Sequence, residues 1–132
     1  MKAEYQEPSK EVDKVARIIV DAAFHVHKNL GPGLLESVYE TCLVHEIKKR
    51  GMPMEQQKQV QINYDGIKLD AGLRVDLLVN DAVVVELKAI EKILPVHEAQ
   101  LLTYLKLMDK RVGLLINFNV PLIKNGIKRK VI

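Results

Sequence analysis

The sequence predicts an α/β fold, with a mixed central sheet flanked by helices. Three observations carry this prediction. Two amphipathic helical stripes fill the region between Ser9 and Gly51, period-two segments replace them from Gln56, and a helical segment after Pro95 separates two strand candidates from a third that is apolar throughout. With 132 residues, 48% of them apolar, the chain has the length of one domain. Residues 1–132 are therefore read as a single domain that buries one core without disulfides or a structural metal.

In the first helix, Val12, Val15, Ala16, Ile19, Ala22, Ala23 and Val26 recur at helical spacing between Ser9 and Leu30. Gly31-Pro32-Gly33 interrupts it, because Pro32 lacks the amide proton and biases Gly31 away from helical angles. The second helix has Leu35, Val38, Tyr39, Cys42, Leu43 and Ile47 as its stripe, with Gly51 and Pro53 as its stop. Val60 and Ile62 then alternate with polar residues, and a Tyr64-Asp65-Gly66 turn leads into a short return through Ile67 and Leu69. GLRVDLLV from Gly72 and AVVVELKA from Ala82 read as a hairpin, a helix follows from Pro95 to about Met108, and VGLLINFNV from Val112 reads as a strand covered on both faces. The expected order is ααβ(β)ββαβ.

The net charge of +3 permits a polyanionic partner without requiring one. Lys124, Lys128, Arg129 and Lys130 crowd the C-terminal end, and Lys48, Lys49 and Arg50 close the second helix. For both clusters a solvated face or a helix end matched to its dipole is favoured over a phosphate-binding role. The lone Cys42 cannot form an internal bridge, and no opening stretch has the make-up of a secretion signal, so a reducing, cytoplasmic setting is expected. The longest apolar runs fall far short of the roughly 20 residues that span a bilayer, and no membrane partner is expected.

The hairpin gives the sharpest constraint. Leu73, Val75, Leu77 and Val79 form one face of its first strand, and Val83, Val85 and Leu87 form one face of its second. Burying both faces in one core sets Val79 opposite Val83 around a loop of Asn80, Asp81 and Ala82. Asp76 then lies opposite Glu86, and Arg74 opposite Lys88. Two opposed carboxylates repel, so a cation must offset them, either Arg74 and Lys88 or a metal. Mg²⁺ typically uses one or two carboxylates and keeps waters and substrate phosphate oxygens in its other positions, which Asp76 and Glu86 suit. Lys88 would orient or help deprotonate the attacking water and offset charge developing on a phosphate. An ordinary ion-pair ladder on a polar hairpin face accounts equally well for the spacing alone.

Asp76 followed by Glu86-Leu87-Lys88 resembles the Asp and (D/E)xK elements of the PD-(D/E)xK nuclease superfamily. The restriction-endonuclease-like core of that superfamily, in the order helix, three strands, helix, strand, is similar to the order read here. Gly33-Leu34-Leu35-Glu36-Ser37-Val38-Tyr39 also resembles the motif that names the GxxExxY protein family, a small group assigned to that superfamily. The residue before Asp76 is Val75 rather than Pro, a departure the superfamily tolerates. Gln100 and Tyr104, four apart on the following helix, resemble the QxxxY element of RecB-like nucleases. The resemblance implies Gln100 reaching toward metal or phosphate, Tyr104 contacting the nucleic-acid backbone, and Glu36 joining Asp76 and Glu86 as an extra metal or water contact. An ordinary polar helix edge is the plainer account of Gln100 and Tyr104, and a favourable helix-dipole contact that of Glu36.

His25 and His27, two apart on a helix, point in different directions, and Cys42 with His45 lacks the companions of a zinc site. The expected function is metal-dependent hydrolysis of DNA or RNA phosphodiester bonds, with Mg²⁺ as cofactor and Mn²⁺ as a substitute. Asp76, Glu86, Lys88 and Glu36 are the catalytic candidates, with Gln100, Tyr104 and Arg74 on the substrate. The alternatives are a nucleic-acid-binding or protein-interaction module that keeps the fold without catalysis, and a hydrolase of small phosphoesters. The low aromatic content and modest charge favour the module, whereas the intact Asp76, Glu86 and Lys88 weigh against it. A homo-oligomer is compatible with the sequence.

Overall fold

The structure, a computed structural model, describes residues 6–132. It begins with α1 (Lys10–Leu30), whose N-terminus is capped by Ser9, the hydroxyl oxygen accepting from the Val12 amide at 3.2 Å. The stripe of Val15, Ala16, Ile19, Ala22, Ala23 and Val26 is buried, as its spacing predicts. The helix stops at Gly31, whose φ of 70° is left-handed. Next comes α2 (Glu36–Lys49), packed beside α1 with Tyr39, Leu43, Val44 and Ile47 buried.

The main sheet contains β1 (Met54–Gln59), β4 (Arg74–Val79), β5 (Val83–Lys88), β6 (Val112–Asn117) and β7 (Ile127–Val131), in the order β1-β4-β5-β6-β7. Among the described strands only β5 and β6 pair in parallel, and the connection such a pair needs is supplied by α3 (Pro95–Met108). A separate two-stranded hairpin, β2 (Ile62–Tyr64) with β3 (Ile67–Leu69), turns at Asp65-Gly66. Helices α1 and α2 cover one sheet face through Leu77, Val79, Val83, Val85, Leu87, Leu114 and Ile116. On the other face α3 packs Leu101, Tyr104 and Leu105 against Val75, Leu78, Val84 and Leu115. No helix among the described residues is long and apolar enough to cross a membrane.

Three features depart from the sequence expectations. β7 occupies the basic C-terminal segment, preceded by a 3₁₀ turn (Ile123–Gly126), and the strand expected through Val60 and Ile62 is split into β1 and β2, so the described order has two more strands than expected. There Arg129 pairs with Asp13 at 2.6 Å and Lys130 with Glu98 at 2.6 Å, fastening the edge strand to α1 and α3. β6 ends at Asn117, because the chain leaves the sheet to reach that turn, and Phe118-Asn119-Val120 is not strand.

The third departure is in the pleat of β4. Leu77 and Val79 face the α1/α2 side as predicted, but Val75 and Leu73 pack on the α3 side. Alternation therefore breaks at Asp76. Its neighbour in register on β1 is Gln57, which has a left-handed φ of 50° and is skipped by the β1–β4 pairing. The same reversal puts Glu55 and Lys58, three apart in a strand, close enough for a 2.9 Å ion pair.

Gly126 sits against the end of β6. A Cβ there would lie 2.1 Å from the Asn117 carbonyl oxygen, which belongs to backbone and cannot swing aside. Gly126→Ala should cost roughly 1–3 kcal/mol of unfolding free energy, as overpacking does. Urea denaturation measures it, and a wild-type midpoint would show that the close approach is relieved by a backbone shift.

Candidate functional site

Pairing between β4 and β5 runs through Val79–Val83, Leu78–Val84 and Leu77–Val85 and stops there. Beyond that point each strand stays paired on its outer side, Val75 with Lys58 of β1 and Glu86 with Leu115 of β6. The strands thus part between two anchored flanks, and the carboxylates occupy the opening. Glu86 Oε1 accepts from the Asp76 amide at 3.0 Å, and Asp76 Oδ2 accepts from the Leu87 amide at 2.7 Å. Each carboxylate satisfies a backbone donor of the opposite strand that the interrupted ladder leaves without a carbonyl partner. Hydrophobic matching does bring Asp76 and Glu86 together, through an opened ladder rather than a flush cross-strand pair.

This proximity has an electrostatic cost. Glu86 is 8% exposed, and burial, followed by the Asp76 charge, pushes its carboxyl from 4.5 up to about 7, with Glu36 adding to the rise and Lys88 opposing it. The carboxyl of Glu36, an exposed residue, is also raised, first by partial loss of water around it and then by Asp76, with Lys88 again opposing. Lys88 is therefore the cation that both glutamates feel. Burial and the charges of Glu86 and Asp76 raise Tyr104, which places this mostly buried phenol beside the same pair. Its hydroxyl makes no hydrogen bond with a described residue and can accept or donate one.

The position of Glu36 is fixed by Tyr39, one turn further along α2. The Tyr39 ring is buried and stacked on Phe118 with centroids 4.6 Å apart and planes within 7°. Its hydroxyl donates to the Gly31 carbonyl at 2.6 Å and accepts from the Leu34 amide at 3.1 Å. Gly33, with a φ of 96°, provides the turn between them. The glycine and tyrosine of the Gly33–Tyr39 segment thus build the bend that presents Glu36.

The remaining candidates stand further off. Gln100 and Arg74 are exposed; the Arg74 guanidinium donates to the Gln57 carbonyl at 3.4 Å and to no other described residue, and the β4–β5 ladder ends before a pairing with Lys88. Two contributors escaped the sequence reading. Gln57 extends its amide to Glu40 at 3.1 Å and to Asp76 Oδ1 at 3.3 Å, a role created by its left-handed backbone and carried by no sequence signal. Asn117 is 2% exposed; it donates to the Ile90 carbonyl at 2.9 Å and accepts from the Ile90 amide at 3.1 Å, holding the segment just past Lys88. A polar residue inside the apolar run VGLLINF was the available signal. His25 and His27 diverge as expected, His27 bonding the Val120 carbonyl and His25 lying 3.6 Å from Glu46.

Among the described residues no group of three or more His, Cys, Asp and Glu side chains is gathered tightly enough to hold a metal ion. The donor set at the opening is the pair Asp76 and Glu86, which fits a hard cation that takes one or two carboxylates and completes its shell with water and phosphate oxygens. Glu86 Oε2 accepts no hydrogen bond from a described residue, and the negative charge held in a buried place is what a divalent cation relieves.

Because Glu86 binds its proton more tightly in the folded chain, the metal-free protein should lose stability as pH rises from 4.5 to about 7. The loss amounts to roughly 3 kcal/mol and is complete above that range. Glu86→Gln should be flatter across the window and more stable than the wild type at pH 8. Urea unfolding in EDTA at both ends of the range tests this; parallel pH dependences in the two proteins would place the charge cost elsewhere.

The sequence model of the PD-(D/E)XK nuclease superfamily matches residues 13–130, a span that includes every residue of the opening and both helices that flank it. Neither the curated proteins nor the solved structures hold a significant match to the chain. With a mixed sheet between helices and its acidic pair where the central strands part, the chain belongs to the PD-(D/E)XK nuclease superfamily.

Proposed function

We propose that this chain is a Mg²⁺-dependent nuclease that hydrolyses phosphodiester bonds of DNA or RNA, with Mn²⁺ able to replace Mg²⁺. Within the superfamily we assign it to the GxxExxY group on the Gly33–Tyr39 segment. The observation that carries the reading is the Asp76–Glu86 pair, two carboxylates each hydrogen-bonded to the other's strand and held together in a largely buried place, where burial and the Asp76 charge push the Glu86 carboxyl up to about 7. Active sites are where burial and like charges are arranged to shift carboxyl groups in this way.

Asp76 and Glu86 would hold the cation, and Glu36 would add a third carboxylate contact from α2. When bound, the cation supplies Lewis-acid stabilisation of the phosphate and lowers the pKa of water. The Lys88 ammonium orients the attacking water and offsets charge on the phosphoryl oxygens as the bond to the leaving oxygen breaks. Tyr104 and Gln100, one turn apart on α3, are assigned to the substrate backbone, as is Arg74. A cytoplasmic setting agrees with the lone thiol of Cys42.

Cleavage of labelled single- and double-stranded DNA and RNA should require Mg²⁺ or Mn²⁺, stop in EDTA and vanish in Asp76→Ala. Failure of every substrate with either metal would leave a non-catalytic module as the function. Lys88→Ala should retain calorimetric Mg²⁺ binding and lose on the order of 100-fold or more in turnover. Glu36→Gln should weaken Mg²⁺ binding and raise the melting temperature of the metal-free protein, since one of three neighbouring charges is removed. An unchanged Mg²⁺-dependent melting shift in that variant would remove Glu36 from the site.

A further inference from the structure

On the α1 side of the molecule, past the end of β6, lies a cleft of about 530 Å³ between α1, the end of α2 and the segment leading into the 3₁₀ turn. Its wall carries three side chains that are always cationic, Lys28, Arg50 and Lys124, against the single carboxylate of Asp21. That carboxylate is committed to Arg50 at 3.2 Å, and Arg50 is itself held by Glu46 at 2.7 Å, so the pair adds no free charge to the wall. Lys28 and Lys124 make no hydrogen bond or ion pair with any described residue, and both are exposed. Two unpaired ammonium groups thus face one concavity. Phe24, 43% exposed, and Leu122, 57% exposed, give the same cleft an apolar floor.

The cleft is joined to the acidic opening by a short rigid path. The Phe118 amide donates to the Lys88 carbonyl at 3.0 Å, and four residues on from Phe118 is Leu122 in the cleft wall. At no more than about 3.6 Å per residue, the Leu122 backbone lies within roughly 14 Å of that of Phe118. The segment is held against α1 by His27, whose ring nitrogen meets the Val120 carbonyl at 2.8 Å. With the 3.0 Å hydrogen bond added, the Leu122 backbone lies within roughly 17 Å of the Lys88 carbonyl, and a nucleic-acid strand that advances about 3.4 Å per nucleotide in a duplex covers that reach in at most about five nucleotides.

We propose that this cleft binds a backbone phosphate of the nucleic-acid strand a few nucleotides from the scissile bond, with Lys28 and Lys124 as the phosphate contacts and Phe24 as the apolar surface beneath the adjoining sugar or base. The proposal rests on the nuclease reading and gives it a substrate track. An anchor remote from the acidic pair also answers a difficulty of that reading. Asp76, Glu86, Glu36 and Glu40 gather negative charge where a polyanion must approach, and Lys28 and Lys124 supply unpaired positive charge in the cleft.

The test is fluorescence anisotropy of the full chain in EDTA with labelled 20-nucleotide DNA and RNA, single-stranded and duplex, over a range of salt concentrations. Each phosphate contact contributes roughly 0.7–0.9 to the slope of log affinity against log salt. The Lys28→Ala/Lys124→Ala double variant should therefore bind several-fold more weakly at moderate salt, with a slope shallower by about 1.5. Lys10→Ala/Lys14→Ala, on the distant first turns of α1, should keep the wild-type slope, and matching melting temperatures exclude misfolding. Wild-type slope and affinity in the cleft variant, alongside a wild-type chain that binds, would overturn the cleft assignment and leave the nuclease reading standing. A wild-type chain that binds none of the four nucleic acids in EDTA but cleaves one of them with Mg²⁺ would also overturn the cleft assignment alone, and one that neither binds nor cleaves any of them would overturn both. Inorganic phosphate or a nucleoside monophosphate that perturbs the amide resonances of Lys28 and Lys124, with no oligonucleotide displacing it, would make the cleft a site for a free anion and also overturn the proposal.

Discussion

The opening of the sheet between β4 and β5 depends on a competition between two kinds of burial. Leu77 and Val79 on β4, with Val83, Val85 and Leu87 on β5, are drawn into the core beneath α1 and α2 and zip the hairpin from its turn. Continuing the zip would bring the Asp76 and Glu86 side chains flush across a regular ladder, with both carboxylates ionised in a buried place. Parting the strands there, while β1 and β6 hold their outer edges, lets each carboxylate accept a backbone amide instead. Charge and unsatisfied amides are both costly when buried, and one rearrangement meets both. The placing of Lys88 and of the acidic pair beside Tyr104 follows from where the zip ends.

Two helices bring the remaining parts to this place by different means. α2 is aimed by Tyr39, a buried aromatic whose hydroxyl bonds the loop before it and whose ring rests on Phe118 just past β6. α3 has a looser hold at its start, where Pro95 opens the helix and the His97 ring accepts from the Leu94 amide at 2.9 Å. It becomes firm at Leu101, which packs closely on Gly113 of β6. Tyr104 sits on the firm part and Gln100 at its exposed margin.

Much of this was legible in the sequence, for reasons that differ by element. The α1 stripe and its Ser9 and Gly31 ends follow from local rules, and the register of the hairpin follows from matching apolar faces around Asn80-Asp81-Ala82. That match also drew Asp76 and Glu86 together. Parity failed one residue later, at Val75 and Leu73, because the left-handed turn of Gln57 belongs to a neighbouring strand and no pattern within β4 records it. β7 was hidden by its own charges. Ile127 and Val131 are too sparse to announce a strand, and the salt bridges to Asp13 and Glu98 that hold it join residues 116 and 32 positions apart. The family-like motif was visible as letters, but the work of its tyrosine, pinning the Gly31–Leu34 bend, needed the fold.

The reversed pleat at Gln57 has a bearing on how the molecule behaves at high concentration. A five-stranded sheet has two free borders, and a border with an even row of amides and carbonyls invites another chain to add a strand. β7 discourages this with Lys128, the one of its three basic residues without an ion pair to a described residue, while Arg129 and Lys130 are tied back to Asp13 and Glu98 on the helices. β1 has only one basic residue, Lys58, and that one is bound to Glu55. Its protection is a matter of shape, since the kink turns half of the strand over, and an incoming strand in register with Met54–Gln56 would be out of step with Lys58 and Gln59. The irregularity that lets Gln57 reach the acidic pair therefore also keeps the sheet from growing at that border.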